Sequence, residues 1–501
     1  MPSQLRSPNR VLLLALLLGI GADYLFNGRW VGVSAPMFVA AGLLALGWLS
    51  VSEGRAPTRA NRWLGGAALL FAGLIAVRDE PLLVVLDGVA VAGLLLLYVA
   101  NYRGASVARL SVLQSAENLF KASWNIGISP APLAAQTWRS VSIQRVQFRA
   151  ALPVVRGFAL AVPALLVFGG LLMAADSVFA SYVVDTLTIR LPFNVASSIN
   201  HAVVVLLIAW LCAGGMAVAL NAPAAAAAAS PLPAEGDTQR LVAPEPAWRM
   251  LGWVEALTML VLIDVLFGSF MLIQGAYFFG GLDTLARTNM TYADYARRGF
   301  FELLVVACLA LLLLWTLALV TRRGKPREFS IFNAASGVMV VLVIGMLVSA
   351  FQRMWLYEEA YSFTRLRIYT HSFMIWLAVV LVLFLVALLR DQLKLFVFGS
   401  FVSALVYLAL LNIASPDALI VRANIARYHA GGDLDADYLA SLSADATPAL
   451  NAAIGDVDDT SRVIIRNRMQ QQHAVISAAL AEQGWPAWSV ARARALAAAG
   501  Q

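Results

Sequence analysis

The sequence predicts an all-α fold: a polytopic helical membrane protein of about 11 spans with a small soluble helical domain at its C-terminus. Three observations predict it. Uncharged, mostly apolar runs recur along the chain, each long enough or nearly long enough to cross a bilayer. Hydrophobic residues make up 60% of the chain and charged residues 13%, against roughly 25% charge in ordinary globular proteins. After Leu411 the composition turns soluble, with Ser415-Pro416, Thr447-Pro448, Gly431-Gly432, Gly484 and Trp485-Pro486 marking helix starts and stops.

The apolar runs show no alternation of period two, which sets them apart from the strands of an outer-membrane barrel. In hydrocarbon each run needs only to satisfy its own backbone groups, and a helix does so. The expected spans are 11–26, 31–51, 63–77, 81–100, 153–175, 198–220, 249–275, 299–320, 330–350, 369–389 and 395–414. Arg6 and Arg10 precede the first run, and Val33-Ser34-Ala35 lies too far beyond it for signal cleavage, so that span is expected to be retained.

Basic residues are distributed unevenly among the loops. With a cytoplasmic N-terminus the inner segments carry 20 of the 36 Lys and Arg residues, the outer loops 9 and the C-terminal tail 7. This bias orients the chain and places the tail outside the cytoplasm. It also accounts for the net charge of +7 as topology, so no nucleic-acid partner is implied.

Four regions follow: a first bundle over 1–220, an Ala/Pro-rich linker over 221–248, a second bundle over 249–414 and a soluble helical tail over 415–501. Within the first, the loop 101–152 carries Val107, Leu110, Leu113 and Ala116 at helical spacing, as an amphipathic interfacial helix does. The tail is expected to enclose Tyr438, Leu439, Leu442, Val463, Ile464, Trp485 and Trp488 in a small core.

Chemistry is sought first where ionisable groups fall inside spans, because burying them in lipid is costly. Asp264 is such a residue, about 15 positions beyond Arg249 and so roughly 22 Å along its helix. Asp294, Arg298 and Glu302 recur every four residues and share one helix face. Residues 351–371 interleave Trp355, Tyr357, Tyr361, Phe363 and Tyr369 with Arg353, Glu358, Glu359, Arg365 and Arg367 and end on His371, a pattern suited to a headgroup boundary. The sharper expectation is that Asp264, Arg298, Glu302, Arg353, Glu358, Arg365, Arg367 and His371 line an outer-facing polar cavity or relay.

Cys212 and Cys308 fall inside spans, and His201, His371, His429 and His473 have no ligand neighbours at helical spacing. No metal or other cofactor is implied, and no phosphate-binding glycine loop, nucleophile elbow or HExxH motif is present.

Tyr295-Ala-Arg-Arg-Gly-Phe-Phe-Glu-Leu303, the run from Arg353 to Arg367, Trp376, Pro416-Asp-Ala-Leu-Ile and Asn424-Ile-Ala-Arg427 carry a resemblance. The chain resembles a bacterial integral-membrane family catalogued as domain of unknown function number four-one-seven-three. The family pattern has Tyr-Gly-Leu-Thr where this chain has Tyr361-Ser-Phe-Thr364. The resemblance implies a multi-spanning inner-membrane protein and no catalytic residue. Three roles fit the sequence: a scaffold, sensor or assembly factor that offers residues 415–501 to an envelope partner; a transporter or flippase-like protein built around Asp264; and a membrane-embedded enzyme acting on lipid-linked substrates.

Overall fold

The computed structural model describes residues 5, 7–104, 106–109, 112–134, 195–221, 251–279, 300–321, 326–390 and 392–499. The longer helices are α1 (Pro8–Phe26), α2 (Ser34–Glu53), α3 (Arg62–Val77), α4 (Pro81–Ala100), α5 (Val112–Ile128), α6 (Val195–Asn221), α7 (Trp253–Phe279), α8 (Phe300–Val320), α9 (Pro326–Tyr361), α10 (Arg365–Leu389) and α11 (Leu393–Ala414). All but α5 are long and apolar enough to cross a membrane, giving ten spans among the described residues. The chain is a polytopic all-α membrane protein. The expected span at 153–175 and nearly all of the linker at 221–248 lie outside the described residues.

Two expectations about length change. The short third span is completed by a 3-10 turn over Arg59–Asn61, so that 59–77 is continuous helix. The third helix of the second half, α9, runs unbroken to Tyr361, well past position 350. At 1.5 Å per residue its 36 residues extend about 54 Å, more than the roughly 30 Å of hydrocarbon, so one end must stand clear of the lipid. The connector expected over 351–368 therefore reduces to Ser362–Thr364. Ser362 has φ of 80°, the left-handed conformation that glycine adopts freely, so the bend marked by glycine in the family pattern is present here on serine.

Outward faces carry large apolar side chains, among them Val51 at 82% exposure and Leu272 at 78%, as lipid-facing positions do. Inward faces form three cores. Val11, Leu49 and Leu220 join α1, α2 and α6. Leu260, Leu314, Met339 and Phe384 join α7 to α10. Leu64, Phe71, Leu83 and Leu94 of α3 and α4 pack with Leu408 and Leu411 of α11, so the last span leans on the first half of the chain. In the loop 101–152, Val107 lies in a 3-10 turn and α5 follows it, with Trp210 of α6 donating from Nε1 to the Gly127 carbonyl at 2.8 Å.

The tail folds as five helices, α12 (Pro416–His429), α13 (Ala436–Ala440), α14 (Thr447–Ala453), α15 (Asp459–Gln483) and α16 (Val490–Ala499), all but α15 short. Ile420, Leu439, Leu442, Leu450, Ile465 and Met469 form its core. Tyr438 and Ile464 pack against that core partly buried. Val463, Trp485 and Trp488 do not belong to it, at 58%, 47% and 42% exposure. Ser461, Ile465 and Met469 set the buried stripe of α15, and Val463, two positions from Ile465, points about 200° away. The two tryptophans flank a 3-10 turn laid against the loop between α1 and α2, where Trp488 O accepts from Val33 N at 2.8 Å.

Candidate functional site

A group of buried and partly buried polar side chains gathers where the tail meets the end of the bundle. Three loops of the bundle end there: 27–33, 78–80 and 362–364. The tail is not a tethered module but a cap seated on all three.

The first contact begins with Arg365, placed by the Ser362 bend at the start of α10. Its Nε and Nη2 donate to the two oxygens of Asp417 at 2.7 and 2.5 Å, a fork that matches the carboxylate plane. Asp417 is fully buried and also accepts from Ser443 N and Oγ at 2.8 and 2.6 Å. Glu80 lies 3.9 Å from Arg365 and is buried too; it caps α4 by accepting from Leu83 N at 2.6 Å and takes the Tyr369 hydroxyl at 2.9 Å. Asn424 receives Phe363 N and donates to Phe363 O, both at 2.9 Å, holding the bend by its backbone. The Arg367 guanidinium donates to Ser362 O.

A second contact is built on Asp445. One of its oxygens accepts from Asp79 N and Glu80 N at 2.7 and 2.9 Å, and the other from Arg78 at 3.2 Å. Arg78 also donates to the Asn412 carbonyl. The third contact is Arg492, bonded to Asp79 through Nε at 2.8 Å and Nη2 at 2.7 Å, to Val31 O at 3.2 Å, and stacked 4.9 Å over the Trp30 ring. Burial pushes the Asp79 carboxyl above its ordinary range, while the Arg492 guanidinium pulls it the other way. Below the seam, inside the bundle, Asn412 Nδ2 donates to Asp87 at 2.9 Å, both side chains being buried.

The residues singled out in the sequence are distributed differently from a single cavity. Arg365 and Arg367 belong to the cap seam and its bend. Glu358 and His371 meet across α9 and α10 at 3.0 Å, with His371 also 3.2 Å from Phe351 O and its ring 4.3 Å from the Phe351 ring. Arg353 is buried near the same end of α9, and Glu302 is exposed at the start of α8. Arg298 lies outside the described residues. Asp264 is half-buried on α7, and its Oδ1 has no hydrogen-bond partner among the described residues. No ion pair or hydrogen bond among them joins Asp264 to Arg353, Glu358, Arg365, Arg367 or His371. Nor does any group of three or more His, Cys, Asp or Glu among the described residues suit a metal ion.

Sequence reasoning passed over Glu80, Asp87, Asp417, Asn424, Asp445 and Arg492. A signal existed for some. Asp87 is a carboxylate inside a span, the argument applied to Asp264, and Asp417 and Asn424 stand in motifs already quoted for the resemblance. Asp445 and Arg492 carry no local pattern, because their partners lie more than 360 positions away in sequence.

The seam pairs guanidinium with carboxylate and carboxylate with backbone N–H, an arrangement that holds elements together. No curated protein and no solved structure matches the chain. A family model does, over residues 65–453, under the description "Domain of unknown function (DUF4153)". Its number is 4153 where the motifs alone pointed to four-one-seven-three; in either case the description assigns no substrate or role. The match runs from within α3 to the end of α14, more than half of the chain, and the chain belongs to the DUF4153 family.

Proposed function

We propose that this protein is a scaffold or sensor of a bacterial inner membrane, with a cytoplasmic N-terminus and residues 415–501 offered on the extracytoplasmic side to an envelope partner. The units are the two bundles over 1–220 and 249–414, the linker 221–248 and the cap. The docking of the cap carries this reading: the loop 78–80 delivers Arg78 and Asp79, and the start of α10 delivers Arg365, into one module, so a displacement of the spans reaches the cap through partly buried ion pairs. The excess of Lys and Arg in the loops at the opposite end supports the orientation.

Deleting the cap would leave Arg365 and Asp79 without their partners and so disturb the bundle itself; substitutions on the free face of the cap test the role more cleanly. Val463 and Val475 are more than half exposed on α15. Val463→Arg and Val475→Arg are expected to accumulate at wild-type level, to leave thermal stability unchanged within about 0.5 kcal/mol, and to fail to restore the phenotype of a deletion strain. Ala481→Cys on the same helix, in a Cys308→Ser background, is expected to react with a membrane-impermeant maleimide on intact spheroplasts. Full restoration by both arginine variants, or labelling only after lysis, would remove the reading.

A transporter or flippase-like role remains a second reading on one observation, the unpartnered Oδ1 of Asp264 within a span. It predicts that Asp264→Asn inserts and folds normally but loses proton-coupled flux in proteoliposomes, and unchanged flux would end it.

A further inference from the structure

A groove of about 780 Å³ lies between the first half of α9 and the end of α10, at the end of the bundle remote from the cap. Its walls are Phe329, Val338, Val341, Leu342, Leu385 and Leu389, with Ser330 and Asn333 near its mouth. It exists because α9 presents Ala334 and Gly337 where a larger residue would fill the space; a Cβ built on Gly337 meets only Leu385, at 3.7 Å. Val338, Val341 and Leu389 are more than half exposed, so the groove opens sideways toward lipid chains.

Charge at the mouth selects among the molecules a bilayer supplies. Arg327 continues the stripe of Ser330, Ala334 and Val341 at helical spacing, and Arg390 follows Leu389 directly. Both are exposed, and neither has an ion-pair partner among the described residues. Glu328, the acidic residue of that first turn, is half-buried and already engaged. In sequence, Arg322, Arg323 and Lys325 precede α9, and Lys394 stands in the first turn of α11. Asn333 spends its Nδ2 on the Leu388 carbonyl at 3.3 Å, while its Oδ1, nine-tenths buried with its residue, has no partner among the described residues.

We propose that this groove is a binding site for an anionic glycerophospholipid, with the phosphate held by Arg327 and Arg390 and one acyl chain laid along Gly337 to Leu385. Forked guanidinium donors suit phosphate oxygens, and the apolar walls suit a chain that a soluble phosphate lacks. A headgroup hydroxyl supplies the donor that Asn333 Oδ1 needs.

The test uses the full chain, purified and delipidated, with phosphatidylglycerol and phosphatidylethanolamine of identical acyl chains compared by native mass spectrometry. The wild type is expected to favour phosphatidylglycerol. Arg327→Gln with Arg390→Gln is expected to weaken its binding about thirtyfold and erase the preference, since each basic residue near a lipid surface contributes about a factor of five. Gly337→Leu is expected to weaken both lipids alike by filling the groove. A phosphatidylglycerol with a photoreactive acyl chain is expected to label peptides within 326–342 and 385–390 of the wild type, a result that does not depend on any variant folding. Equal retention of the two lipids, undiminished binding by the double glutamine variant, labels confined elsewhere, or a second copy of the chain cross-linked across this face in place of lipid would each overturn the proposal.

Discussion

Arg365→Gln is expected to loosen the cap and lower the stability of the folded protein by about 3 kcal/mol, the lower end of what breaking a buried ion pair costs. The lower end applies because the Arg365 side chain is 32% exposed and water can reach part of the vacated site. Its removal leaves two carboxylates facing each other: Asp417, with no exposure, and Glu80, buried at the head of α4. Two buried negative charges without a cation are the costly part, more than the hydrogen bonds lost. The double variant Arg365→Gln with Asp417→Asn is therefore expected to be more stable than Arg365→Gln alone. Limited proteolysis between α11 and α12, together with thermal unfolding in detergent, reads both quantities. Strict additivity of the two substitutions would show that the side chains do not act as a pair.

The second large effect is expected on the other side of the cap, where the contact is steric. A Cβ on Gly32 would stand 2.2 Å from Trp488 O, 2.9 Å from Trp488 C and 3.0 Å from Ala487 C. Every one of these atoms is backbone, so no side chain can swing aside, and Gly32→Ala must push the loop 31–33 away from the 485–488 turn. That movement breaks the Val33 to Trp488 hydrogen bond and draws Val31 O away from Arg492. The expected cost is about 2–3 kcal/mol, with residues 484–499 becoming sensitive to protease first. Gly28→Ala in the same loop is the control. Gly28 has φ of 68° and nothing within 4 Å, so alanine there bears only the left-handed backbone cost of about 1 kcal/mol and leaves the cap seated. Equal protease resistance of the two variants would show that close backbone approach does not hold the cap.

The legible and illegible parts of this protein divide along the range of the forces involved. Spans are set by solvent, and solvent acts residue by residue, so runs such as 81–100 and 395–414 match α4 and α11 within two positions. Helix starts in the tail were equally local, with Pro416 and Pro448 in first turns. The cavity expected around Asp264 joined residues by their charge and their common side of the membrane, and neither property fixes a distance. Arg365 pairs with Asp417, 52 positions on, and that partner depends on how the tail folds back. Trp485 and Trp488 look like core residues by composition alone, because the 485–488 turn packs on a loop more than 450 residues earlier, where Val33 N donates to Trp488 O.

The packing of α11 on α3 and α4 has a consequence for how the protein is made. Ribosomal synthesis delivers α3 and α4 early, yet the helix that completes their core arrives about 300 residues later, and the Asp445 carboxylate that receives Asp79 N and Glu80 N arrives 366 positions after Asp79. Until then the loop 78–80 presents its charges to solvent with nothing to receive them. A nascent or truncated chain thus carries a mark of incompleteness that the finished one hides, a feature by which membrane quality-control proteases could tell the two apart.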